Sequence, residues 1–121
     1  MEKIKLKNAE LWIEDDICIG KIWGEPDEEL VKEFAKRAEE LLKKIPGKKY
    51  SLIDISDVRK ATLGARKATQ NLPLVSEKIA LVYKNPLAKV IGSFFLRIIK
   101  LKAPIKLFAT IEEAKKWFKE K

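Results

Sequence analysis

Three short runs rich in apolar and β-branched residues, at 50–55, 78–83 and 105–109, constrain this chain more than any other feature. Each is too brief for a helix, and the first two are too evenly apolar to alternate between a core and water. That is the pattern of strands covered on both faces. Stretches with apolar residues at three- and four-residue spacing lie between them, so strand and helix alternate. Strands joined through helices run parallel by right-handed crossovers, with the helices packed on the sheet.

Ahead of these runs the chain alternates apolar and polar residues through Ile4, Leu6, Leu11, Trp12 and Ile13. Glu14-Asp15-Asp16 reads as a polar turn, and residues 17–23 resume as a second strand, which makes an antiparallel hairpin. Gly24-Glu25-Pro26-Asp27 then breaks the strand and opens a helix whose face carries Leu30, Val31, Phe34, Ala38, Leu41, Leu42 and Ile45. Pro26 suits a first turn, Asp27, Glu28 and Glu29 complement the positive end of the helix dipole, and Pro46-Gly47 ends the helix. A modest helix is expected around 63–72, before Pro73. Asn85 and Pro86 start a long one reaching about residue 101. Thr110, with Glu113 three residues on, caps a last helix anchored by Trp117. The predicted order is ββαβαβαβα, a single α/β domain over 1–121 with a mixed five-stranded sheet flanked by helices.

Composition narrows the chemistry. There is no histidine, which removes the commonest general base and the commonest metal ligand together. One cysteine, Cys18, excludes an internal disulfide. No glycine-rich phosphate loop, serine elbow or metal-spaced cluster occurs, so neither an enzyme nor a cofactor or metal is expected. Asp54 with Lys84 is the one acid–base combination near the strand ends, and it reads better as a loop carboxylate beside a surface lysine. Nothing at the N-terminus resembles a secretory signal, and no stretch reaches the ~18 apolar residues of a membrane span. The expected location is cytoplasmic, free or peripheral at a membrane. Abundant Lys, Glu and Ile with one glutamine resemble thermophile usage. The net charge of +8 is uneven, +1 over residues 1–83 and +7 over 84–121. Such a basic third suits an anionic partner, although no nucleic-acid-binding motif accompanies it.

The element order, together with Gly24-Glu25-Pro26, Leu52-Ile53-Asp54-Ile55-Ser56, Lys78-Ile79-Ala80-Leu81-Val82, Asn85-Pro86-Leu87-Ala88, Ile105-Lys106-Leu107-Phe108 and Glu112-Glu113-Ala114-Lys115-Lys116-Trp117, resembles the SpoIIAA-like branch of the STAS/SEC14 (CRAL-TRIO-like) superfamily. The resemblance implies that fold over nearly the whole chain. It also implies two modes of action. STAS relatives dock on protein partners and are switched by a phosphoserine in an Asp-Leu-Ser…Asp-Ser-Ser-Gly-Leu-Gly pattern. Here Asp54-Ile55-Ser56 matches the opening and Leu63-Gly64 the end, whereas the acceptor position falls on Ala61 and the glycine after it on Thr62, which would be an acceptor shifted by one place. A regulatory loop would therefore comprise Asp54, Ser56, Asp57, Thr62 and Gly64, without the usual phosphoserine. SEC14-like relatives instead hold hydrophobic ligands beneath a mobile helix.

The residues themselves single out the helix at 85–101. Leu87, Val90, Ile91, Phe94, Phe95, Ile98 and Ile99, with Ala88 and Leu101, cover about half its circumference, and Leu96 lies toward the polar edge. Lys89, Arg97 and Lys100, with Ser93, fill the remaining stripe. A sheet-covering helix needs an apolar arc of only a little over ~100°. The surplus is expected to meet a neighbouring helix, a second copy in a homodimer, an apolar ligand such as a lipid, or an anionic membrane surface. The function that follows is a non-enzymatic binding module acting through this helix. The alternative is a STAS-type regulatory module that docks on a protein partner.

Overall fold

A computed structural model describes residues 2–72, 76–99 and 104–120. Its chain begins as a meander of three antiparallel strands, β1 (Ile4–Lys5), β2 (Ala9–Glu14) and β3 (Ile17–Gly24). The first alternating run, expected to be one strand, is two. The Leu6 N–H donates to the Ala9 carbonyl at 2.8 Å and turns the chain. Asn8 then anchors the turn, its side-chain amide donating to the Trp23 carbonyl at 2.7 Å. Among the described residues the sheet consequently has six strands rather than the five expected. Asp15 and Asp16 both lie in the left-handed region, at φ 54° and 58°, the geometry of a two-residue type I′ hairpin that Asp tolerates.

The remainder alternates as predicted: α1 (Glu28–Leu42), β4 (Tyr50–Val58), α2 (Leu63–Gln70), β5 (Lys78–Val82), α3 (Pro86–Ile99), β6 (Ile105–Phe108) and α4 (Ile111–Phe118). β4 runs past the expected loop at Ser56 and Asp57, because β3 continues beside it and pairs Trp23 with Asp57 and Gly24 with Val58 after an irregularity at Ile22. Pro73 and the predicted last turn of the long helix, with Lys100 and Leu101, lie outside the described residues.

Strand order follows chain order, β1 to β6, with β3 through β6 parallel. Each crossover adds the next strand on the same side, and crossovers share one hand, so α1, α2 and α3 must fall on one face of the sheet. The packing agrees. Cys18, Ile53, Ile79 and Leu81 lie under α1 and α3, whereas Ile19, Leu52, Ala80 and Val82 lie under α4 alone. Such an order has no reversal point, and hence no crevice of the kind in which doubly wound sheets hold ligands.

Two glycines set how closely the helices approach. The ring of Phe34 lies directly on Gly20, where a Cβ would come within 2.9 Å of its Cε2. On α3, a Cβ at Gly92 would meet Leu107 Cδ2 at 2.7 Å and Ile55 Cδ1 at 2.8 Å. Gly92 therefore serves close packing of α3 on β4 and β6. Across the sheet, Trp117 and Phe118 of α4 fill the second core, Phe118 stacking on Tyr50 at 5.0 Å between centroids. Lys115 ties α4 to the hairpin turn through Glu14 and Asp15, each at 3.3 Å.

Candidate functional site, an apolar hollow beneath a short helix

α2 is held at its amino end and kept off the sheet. Thr62 caps it, accepting from the Ala65 N–H at 3.1 Å while its hydroxyl donates to the Pro26 carbonyl at 2.7 Å. Gly64 brings this first turn against the start of α1, where a Cβ would lie 3.3 Å from the Glu28 nitrogen. Beyond that, α2 leans chiefly on α1 and α3. Its buried residues are Ala65, Ala68 and Thr69, all too small to reach the strands below.

The space left is a hollow of about 110 Å³. Ile53, Ile55 and Leu81 form its floor, Val31 and Phe34 of α1 one wall, Ile91, Phe95 and Ile99 of α3 the other, and Thr69 with Leu72 its roof. Ile22, Pro26 and Val58 close the end near the start of α1. Among the described residues of this lining, Thr69 carries the only polar side-chain atom, and its hydroxyl already donates to the Ala65 carbonyl at 2.8 Å. Among the described residues, no free side-chain polar group of the lining is left for an entering water to bond. The hollow is partly open, with Ile22, Val31, Leu72 and Phe95 only half-buried, and its apolar lining suits small apolar guests, as an enclosed cavity of about 150 Å³ accepts benzene or xenon.

The predicted surplus on α3 divides between inside and outside. Ile91, Phe95 and Ile99 face the hollow, while Leu87, Val90 and Phe94 are 51%, 67% and 39% exposed. Leu96 and Ile98 are half-buried, Lys89 lies over the Tyr83 ring at 5.7 Å, and Arg97 is exposed. The helix starts as its sequence implied, the Asn85 side chain accepting from the Ala88 N–H at 2.8 Å and donating to the Ser56 carbonyl at 2.6 Å. Of the hollow's walls, sequence reasoning named only those from α3. The signal for the rest was the alanine-lined inner face of α2, too small to fill the space between two larger helices.

The residues of the suggested regulatory loop are spread along β4 and α2, each with an internal role. Asp54 accepts from the Ser56 N–H at 2.9 Å, and no ion pair joins it to Lys84 among the described residues. Ser56 is buried, and its hydroxyl has no partner among the described residues. Asp57 is exposed and pairs with Lys21 at 3.4 Å. Thr62 and Gly64 are the cap and the contact already described. Cys18 is buried beneath α1, and burial pushes its thiol up to about 12. No cluster of three or more potential metal ligands occurs among the described residues.

Residues 11–121, which carry the hollow and all of the sheet except β1 and the first residues of β2, match a family profile described as a domain of unknown function, DUF7793. The chain belongs to this family. Every residue lining the hollow lies within the DUF7793 segment. Among solved structures, the chain is similar to an uncharacterised protein of the DUF3478 family from Shewanella loihica PV-4, which has a SpoIIAA-like fold. The likeness has a TM-score of 0.68 at 20% identity and covers 97% of this chain and 98% of that one. The fold of this DUF7793 domain is thus SpoIIAA-like. No curated protein matches the chain in sequence. Among the described residues, no helix is long and apolar enough to cross a membrane.

Proposed function

We propose that this protein is a non-enzymatic binding module that admits an apolar guest between α1, α2 and α3. The observation that carries the reading is the hollow itself, about 110 Å³ with one satisfied hydroxyl in its lining. A void of this kind costs stability, since its lining atoms forgo packing contacts on one side. A guest restores those contacts, and shape and polarity select it. The wall helix α3 carries the helical surplus read from the sequence, and the resemblance to SEC14-like proteins, with hydrophobic ligands beneath a helix, agrees with this reading. The regulatory alternative lacks comparable support, because the Thr62 hydroxyl is engaged on both sides.

Two measurements test the proposal. Native mass spectrometry of gently purified protein is expected to show a bound apolar species. Xenon added to the emptied protein is expected to shift the methyl resonances of Ile55, Leu81 and Ile91 while leaving those of Ile17 and Ile19, across the sheet, in place. A protein that carries no guest and whose Ile55 and Ile91 methyls ignore xenon would refute it.

A further inference from the structure

Between Arg59 and Ile111 the chain has eleven Lys and Arg residues and a single acid, Glu77. Glu77 precedes β5 and accepts from the Lys49 N–H at 3.2 Å, so it belongs to the opposite end of the strand from the start of α3. The outward surfaces of α2 and α3 therefore carry no carboxylate of their own. Four large apolar side chains project from the same two helices: Leu63, Leu87, Val90 and Phe94, with Leu63 59% and Val90 67% exposed. On α3, Arg97 lies beside Val90 and Phe94, and on α2 the exposed Lys67 stands one turn from Leu63. On α2, Arg66 stands one turn from Leu63 and lays its guanidinium over the Phe94 ring at 5.1 Å, joining the two helices into one surface. Where α1 borders this surface, Glu28 is already paired with Lys32 at 3.4 Å.

From this combination we infer that the outer face of α2 and α3 docks on an anionic lipid bilayer. Protruding Leu, Val and Phe side chains interspersed with cations that make no ion pair among the described residues match an interface in which acyl chains lie just beneath negatively charged headgroups. A second copy of this chain fits poorly. A two-fold contact sets a patch against itself, which here would bring Arg66 and Arg97 against like charges with no acid to offset them. A nucleic acid would use the cations but has no place for Leu63, Leu87 and Val90. The inference concerns the outside of the helical layer and stands apart from the proposed guest in the hollow.

Cosedimentation with phosphatidylcholine vesicles, with and without a third of phosphatidylglycerol, tests the inference. Binding is expected only with the anionic lipid and should weaken as salt rises. Replacing Lys67 and Arg97 together by Gln should lower the partition coefficient about 25-fold, at roughly fivefold per cation near the surface. L87S/V90S should lower it about tenfold or more through lost apolar insertion. All four positions are exposed, and circular dichroism should show both variants folded. Filling the hollow with V31L/V58I should leave vesicle binding unchanged, so the two proposals can fail separately. Equal binding to neutral and anionic vesicles, or none to either, would overturn the inference. So would loss on charge removal with full binding by L87S/V90S, the mark of a polyanion site, or a dimer in solution that L87S/V90S dissociates.

Discussion

Filling the hollow by two methylene groups should make the protein more stable and less receptive at once. Val31 lies on α1 and Val58 at the end of β4, both against the void. Val31→Leu and Val58→Ile each add one carbon while keeping helix-compatible and strand-compatible side chains. At about 24 cal/mol per Å³, a void of about 110 Å³ sets a ceiling near ~2.6 kcal/mol on what complete filling can recover. Two buried methylenes contribute about 1.6 kcal/mol gross, and extra rotamer loss leaves a net gain of roughly 1 kcal/mol. For a domain of this size that raises the melting temperature by about 4 °C. Calorimetry in buffer, then in buffer saturated with benzene, separates packing from occupancy. The parent protein should gain stability with benzene as RT ln(1 + [L]/Kd) requires, and the double variant should gain much less. A double variant that melts lower than the parent would show the space to be closely packed already. An undiminished benzene response would place the guest elsewhere. Either result defeats the reasoning.

Three further expectations follow from particular contacts. Asn85→Ala removes both the cap of α3 and the bond to the Ser56 carbonyl, and should cost about 1–2 kcal/mol in urea unfolding. Gly20→Ala drives a methyl into the Phe34 ring, which other core residues hold in place; a loss of about 1–3 kcal/mol is expected, with Phe34→Leu in the same chain restoring part of it. Burial holds the Cys18 thiol protonated to about 12, against 9.0 for an exposed thiol. The unfolded chain therefore releases this proton first, and the stability present below pH 9 is lost as pH rises toward 12, by up to ~1.4 kcal/mol per unit. Chemical denaturation at several alkaline pH values should show this slope in the parent and its absence in Cys18→Ala.

The alternation of strands and helices was readable because each element carried its own signal. Residues 50–55 and 78–83 are mostly apolar, and Asn85 and Thr110 cap helices, whereas α1 ends at Leu42 with Lys43 as its cap, a few residues before the stop expected at Pro46-Gly47. The extra strand was not readable, because the break at Leu6–Asn8 depends on Asn8 reaching Trp23, fifteen residues away. The extension of β4 escaped for the same reason: polar Ser56 and Asp57 read as loop until β3 is seen beside them. The surplus on α3 was visible by counting, but which part would face inward was not. That depends on where α2 sits, and α2 is placed by its cap on Pro26 and its contact with Glu28, neither of which has a local signature.

The mounting of α2 on its two neighbours has a consequence for how this scaffold can change. A roof that bears on the walls and barely on the floor can be rebuilt without disturbing either core. Exchanging Thr69 for a longer side chain would shorten the chamber from above, and trimming it would deepen the chamber, while every strand pairing stayed as it is. Selectivity in such a molecule is therefore adjustable at one eight-residue helix, apart from the frame that keeps it folded.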